Sequence, residues 1–70
     1  MPHADLSNRL KVLRAERDWT QAQLADEVGV SRKTINTIER GVFVPSTVLA
    51  LKLARAFGVA VEEIFALGDD

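Results

Sequence analysis

A single glycine joins two segments of helical spacing in the stretch Thr20–Gly41, TQAQLADEVGVSRKTINTIERG. Each segment carries its own start and stop. Thr20 and Gln23 fit a capping box, with Trp19 and Leu24 as the hydrophobic staple around it. Gly29 follows at a position where a left-handed backbone is cheap only for glycine. Ser31 then caps a second segment, with Val30 and Ile35 as its staple, and Gly41 closes it. Each such cap is worth ~1 kcal/mol, a useful fraction of the stability of a small domain. The punctuation restricts the chain to short, separately capped helices joined by tight turns.

The remaining sequence continues in that manner. Leu6, Leu10 and Leu13 fall on one face of a helix predicted over about 5–17, with Asp5 or Ser7 as its cap. After Pro45, Ser46 caps a fourth helix whose stripe is Leu49, Leu53 and Phe57, joined by Ala50 and Ala54 and closed by Gly58. A fifth, short helix is predicted over about 61–67, with Val61, Ile64 and Phe65 apolar. Glu62 and Glu63 in its first turn suit the helix dipole. No strand is expected, because "VFV" at 42–44 is short and stopped by Pro45. The expectation is an all-α domain of five helices spanning 1–70, its core about 6–66. A chain of 70 residues forms one domain at most, and so small a core needs good caps, good packing or a partner.

The composition excludes several classes. With no cysteine there is no disulfide or thiolate metal site. The lone His3 reads as a solvated side chain near the terminus, and no metal or cofactor is expected. No apolar run approaches the ~18–20 residues of a membrane span, and the start lacks the pattern of a signal peptide. These features lead us to expect a cytoplasmic protein. The formal net charge of −1 conceals an asymmetry. Residues 1–60 hold all nine Lys and Arg and six of the ten acids, a net +3, whereas residues 61–70 hold four acids and no base. A nucleic-acid footprint depends on that distribution rather than on the sum.

The second capped segment carries Arg32, Lys33 and Arg40, three of the nine bases, together with Asn36 and Thr37. On a helical wheel of about 100° per residue, Thr34, Ile35 and Ile38 group on one side. Arg32, Lys33, Asn36, Thr37 and Arg40 fall within an arc of roughly 140° on the other. One face packs inward and the other carries donors; by pattern alone, that outer face is equally a solvated charged surface. Two short capped helices joined by a glycine turn match the helix-turn-helix unit.

The residue pattern makes this reading specific. The chain resembles the Xre-type, lambda-repressor-like (Cro-like) family of helix-turn-helix transcriptional regulators. The resemblance rests on Leu13-Arg14 in the first helix, then Gln21, Leu24-Ala25, Gly29-Val30-Ser31, Ile35, Ile38-Glu39 and Gly41, in order, and it covers about residues 6–66. It implies a five-helix domain that binds double-stranded DNA with the third helix in the major groove. Base edges would then meet Arg32, Lys33, Asn36 and Thr37. Arg is suited to guanine, Asn to adenine and a Thr methyl to thymine. Phosphates would meet Gln21, Ser31 and Arg40, helped at Gln21 by the free N–H groups of a helix start. Arg14 and Glu39 would form a largely buried salt bridge orienting the third helix. One departure is the loop VFVPS, where the family often has Lys and Asn; its backbone N–H groups remain candidates for a phosphate.

The chain also carries more apolar residues than its helical stripes require. Val42, Phe43 and Val44 follow the third helix, Val48 and Leu51 lie off the stripe of the fourth, and Val59, Val61, Phe65 and Leu67 lie near the end. We expect a homodimer built from Val42, Phe43, Val44, Leu51, Val61 and Phe65. The function indicated is a small sequence-specific regulator, a repressor that occupies a palindromic operator. The alternative is an antitoxin-like or adaptor module whose main partner is another protein. No nucleophile–base pair, metal-ligand cluster or phosphate loop suggests an enzyme.

Overall fold

The computed structural model describes residues 6–68. His3 and the proposed cap Asp5 lie outside the described residues. The elements run β1 (Leu6–Asn8), α1 (Leu10–Glu16), α2 (Gln21–Val28), α3 (Arg32–Glu39), α4 (Thr47–Phe57), α5 (Val61–Ile64) and β2 (Phe65–Leu67). The five helices expected from the sequence are present. No helix among the described residues is long and apolar enough to cross a membrane.

Helices α2, α3 and α4 begin and end where their caps direct. Thr20 Oγ1 accepts the Gln23 N–H at 3.0 Å, and Gln23 Oε1 accepts the Thr20 N–H at 2.7 Å. Ser31 and Ser46 accept from Thr34 N–H and Leu49 N–H, both at 3.1 Å. At the turn between α2 and α3, Gly29 has φ +76°, the left-handed conformation expected of it. Trp19 of the staple is half-buried and lies against Phe57, ring centroids 5.5 Å apart.

Each helix contributes to one core. Leu10, Leu13, Leu24, Ala25, Val28, Ile35, Ile38, Leu49, Leu53, Ala54, Phe57 and Ile64 are buried. The α4 stripe points inward as its spacing requires. At about 1.5–3 kcal/mol for each large apolar side chain removed from water, these contacts supply the main favourable term.

The two ends of the domain depart from the sequence expectation. Leu6–Asn8 and Phe65–Leu67 are not helical; they pair as antiparallel strands in the register Leu6↔Leu67, Ser7↔Ala66, Asn8↔Phe65. Helix α1 therefore starts later than predicted and α5 ends earlier. The alignment of Leu6 with Leu10 and Leu13 is coincidental, and Ser7 is not a cap, its hydroxyl lying 3.4 Å from the Ala66 carbonyl. The α1 start is served instead by Asn8, whose Oδ1 accepts the Leu10 N–H at 3.1 Å. A strand of three residues carries too little alternation to be recognised alone, and its partner lies at the far end of the chain.

The reciprocal cap at α2 yields a stability prediction. Thr20→Ala removes the acceptor for Gln23 N–H and should cost ~1 kcal/mol. In a domain of this size that lowers the melting temperature by about 4–8 °C. An unchanged thermal midpoint by circular dichroism would show that the cap contributes nothing.

Candidate nucleic-acid interface

Helix α3 is seated by Ile35 and Ile38, which are 0% and 1% exposed. Its opposite face is open. Arg32, Lys33 and Arg40 are exposed, and Asn36 and Thr37 are half-buried. Arg32, Lys33 and Asn36 line a shallow open depression of about 260 Å³. The Thr37 hydroxyl donates to the Thr34 carbonyl at 2.9 Å, so its proton is engaged within the helix. What Thr37 retains for a partner is a methyl group and an oxygen lone pair.

The C-terminal end of α3 is held by a polar cluster. Arg14 Nε donates to Glu39 Oε2 at 2.8 Å and Arg14 Nη2 to Glu39 Oε1 at 3.2 Å. The remaining nitrogen, Nη1, donates to the Trp19 carbonyl at 2.8 Å. Gln21 Nε2 donates to Glu39 Oε1 at 3.1 Å. The Glu39 side chain is 5% exposed and that of Arg14 16%. The hydrogen bond to Glu39, against a smaller opposing effect of burial, raises the guanidinium pKa and holds Arg14 protonated. One carboxylate thus ties α1, the start of α2 and the end of α3, and Arg14 carries the link on to the turn before α2. Gln21, singled out from the sequence for a phosphate, is a member of this cluster, with one amide hydrogen left over.

Ser31 is exposed, and its oxygen lies 3.0 Å from that of Thr34. The loop after α3 differs from expectation. The N–H groups of Val42 and Phe43 both donate to the Thr37 carbonyl, at 3.0 and 3.2 Å, and Gly41 N–H donates to Ile38. These three donors satisfy the end of α3, as helix termini demand, so they are not free for a phosphate. Arg17, another base of the body, donates to the Phe57 carbonyl and lies over the Phe57 ring at 5.0 Å from its centroid. It serves the fold rather than the α3 face.

The residues expected at a dimer interface are only partly brought together. Val44, Leu51, Val61 and Phe65 line one apolar groove of about 310 Å³, completed by Leu6, Pro45, Thr47 and Ala50. Val42 and Phe43 are 44% and 47% exposed but lie outside that lining. Val61 and Phe65 are half-buried and pack against the core. Asn8 escaped the sequence reading. Its Nδ2 donates to the Ile38 carbonyl at 2.9 Å. The only local signal was an Asn two residues before the first residue of α1, the spacing of a side-chain turn.

The geometry of the Glu39 cluster predicts an unequal response to substitution. Glu39→Ala strands a largely buried guanidinium and should cost ~3–5 kcal/mol in denaturant unfolding. Glu39→Gln keeps one acceptor oxygen and should cost less. Equal and negligible shifts of the urea midpoint for the two variants would exclude a structural role for the cluster.

Comparison with known proteins agrees with this architecture. The helix-turn-helix family model matches residues 10–64. An HTH-type transcriptional regulator of Methanocaldococcus jannaschii is 49% identical over 65 residues, covering 93% of this chain and 98% of that one. The competence pilus inhibition repressor of Acinetobacter baylyi is 35% identical over 66 residues, 94% of this chain and 60% of that protein. Among solved structures, the restriction-modification controller protein C.AhdI of Aeromonas hydrophila superposes with a TM-score of 0.73 at 35% identity, covering 77% of this chain and 82% of that one. A Bacteroides fragilis protein superposes with a TM-score of 0.78 at 30% identity, covering 87% and 98%. With its two capped helices, the Gly29 turn and these relatives, the chain belongs to the helix-turn-helix family of transcriptional regulators.

Proposed function

We propose that the protein is a sequence-specific repressor that binds a palindromic operator as a homodimer, each copy placing α3 in the major groove. The observation that carries this reading is the two-sidedness of α3: Ile35 and Ile38 are buried, while Arg32 and Lys33 stand exposed in its first turn. Residues at that end of a recognition helix meet base edges. Arg32 and Lys33 offer donors to guanine, Asn36 offers a donor and an acceptor to adenine, and the Thr37 methyl suits thymine.

Gln21, Ser31 and Arg40 act on phosphates. Gln21 uses the amide hydrogen that Glu39 leaves free, and Ser31 turns its hydroxyl proton outward when Thr34 donates to it. Arg40 stands exposed at the end of α3. Dimerisation through the apolar groove and the Val42–Val44 loop doubles these contacts and sets two half-sites about one DNA turn apart. Val42, Phe43, Val44, Val48 and Leu51 are all at least 44% exposed, an apolar surface of the kind that marks an interaction site. Repression follows from occupancy of a promoter in the cytoplasm, and the repressor name of the Acinetobacter relative supports that sign of regulation. The same apolar surface favours a second reading, in which it receives a different protein and the chain acts as an adaptor or antitoxin-like module.

Selection of bound duplexes from a random pool tests the first reading. A palindromic motif should emerge. Arg32→Ala should cost ~1–3 kcal/mol and relax one position of each half-site. Neutralising about 6 phosphates per dimer predicts a slope near −5 in log K against log salt. Absence of enrichment at low salt with folded protein would transfer the assignment to the protein-partner reading.

Leu51→Glu should leave the fold intact, because Leu51 is 56% exposed, yet convert the dimer to a monomer in sedimentation. A monomer already in the unaltered chain at tens of micromolar would overturn the dimer.

A further inference from the structure

We propose that Asn8 is a positioning residue for recognition: it grips the backbone of α3 at its C-terminal end and sets the angle at which the helix meets DNA. The inference rests on the reading that α3 enters the major groove. Helix α3 has eight residues and is about 12 Å long. Its buried anchors are Ile35 and Ile38, three residues apart on one stripe. Apolar contacts of this kind are non-directional, so two of them hold the helix down but do not fix its roll about the line joining them. Directional bonds at one end remove that freedom.

Two sets of bonds do so, on consecutive residues. The first reaches Glu39 through its side chain, which has several rotatable bonds. The second is the 2.9 Å hydrogen bond from Asn8 Nδ2 to the Ile38 carbonyl, which acts on the backbone itself. That carbonyl also accepts the Gly41 N–H at 2.9 Å, so Asn8 holds the group from which the exit loop is hung. Asn8 is in turn held on three sides. Its Oδ1 accepts from Leu10 N–H at 3.1 Å, its backbone pairs with Phe65 across the β1–β2 ribbon, and the neighbouring Arg9 N–H donates to the Ile64 carbonyl at 2.8 Å. The side chain is half-buried and both of its polar atoms are bonded. A short amide fixed at its own base is a stiff strut between the ribbon and α3.

The two ends of the amide can be separated chemically. Asn8→Asp keeps the acceptor for Leu10 N–H but replaces the donor to Ile38 by an oxygen that repels the carbonyl. Asn8→Ser keeps a capping hydroxyl without charge and is too short to reach Ile38. Both variants preserve the start of α1 and the fold, and the lost hydrogen bond to Ile38 lowers the melting temperature by about 4–8 °C, so binding is measured well below that midpoint. Affinity for the selected operator should fall about three- to tenfold as α3 loses its fixed angle, the hydrogen bond's own worth setting the upper limit of that loss, while binding to random-sequence duplex changes by less than about twofold. Amide exchange should rise at Gly41, Val42 and Phe43 and stay unchanged in α1.

Arg32→Ala is measured alongside. If Arg32→Ala loses operator preference and both Asn8 variants keep it, Asn8 does not position α3 and the proposal fails alone. If Arg32→Ala also keeps it, the reading of α3 as the recognition helix fails first. If operator and random duplex lose affinity equally in the Asn8 variants, the residue is structural only, and the proposal is overturned.

Discussion

The carboxylate of Glu39 is the point on which the arrangement of the helices depends. It sits almost wholly out of water and accepts three hydrogen bonds, two from Arg14 and one from Gln21. A buried charge is tolerated only when its partners replace the water it has lost. That requirement is strict in direction as well as in number, because a guanidinium binds both carboxylate oxygens only in a shared plane. The apolar core has no such directionality. Leu10, Leu24, Leu53 and Ile64 bring the helices together, and the Glu39 cluster selects the angle at which α2 and α3 meet. The Trp19 carbonyl on the remaining Arg14 nitrogen extends the same constraint to the turn preceding α2.

This arrangement accounts for the division of the surface. With Ile35 and Ile38 inward and Glu39 tied to α1, the face bearing Arg32, Lys33 and Asn36 is left outward. Arg17, although exposed, is turned toward Phe57 rather than toward the α3 face. The apolar groove formed by Val44, Leu51, Val61 and Phe65 is a separate surface built from the loop after α3, α4, α5 and the ribbon. A chain with net charge −1 therefore keeps a basic face, because its bases lie in the body and four of its acids lie in the last ten residues.

The parts legible in the sequence share one property: their partners are close along the chain. Thr20 with Gln23, Ser31 with Thr34 and Ser46 with Leu49 each bond three residues ahead. Gly29, Gly41 and Gly58 adopt positive φ at the helix ends where the pattern placed them. The α4 stripe follows from a period of 3.6 residues alone. The Arg14–Glu39 pair is long-range, and it was anticipated through family resemblance rather than through any local rule.

What escaped the sequence was long-range or competitive. The β1–β2 ribbon joins residues about 60 positions apart, and three-residue strands have no period to display. Asn8 reads as a turn residue until the fold delivers the Ile38 carbonyl to its amide. The N–H groups of Val42 and Phe43 were available to a phosphate on paper, but the unsatisfied end of α3 captures them first. Local hydrogen bonding and periodicity are enough for the existence of the five helices, for the caps of α2, α3 and α4 and for the polar face of α3. How that face is aimed and what closes the domain depend on directional bonds between distant residues, and those exist only once the core has brought the residues together.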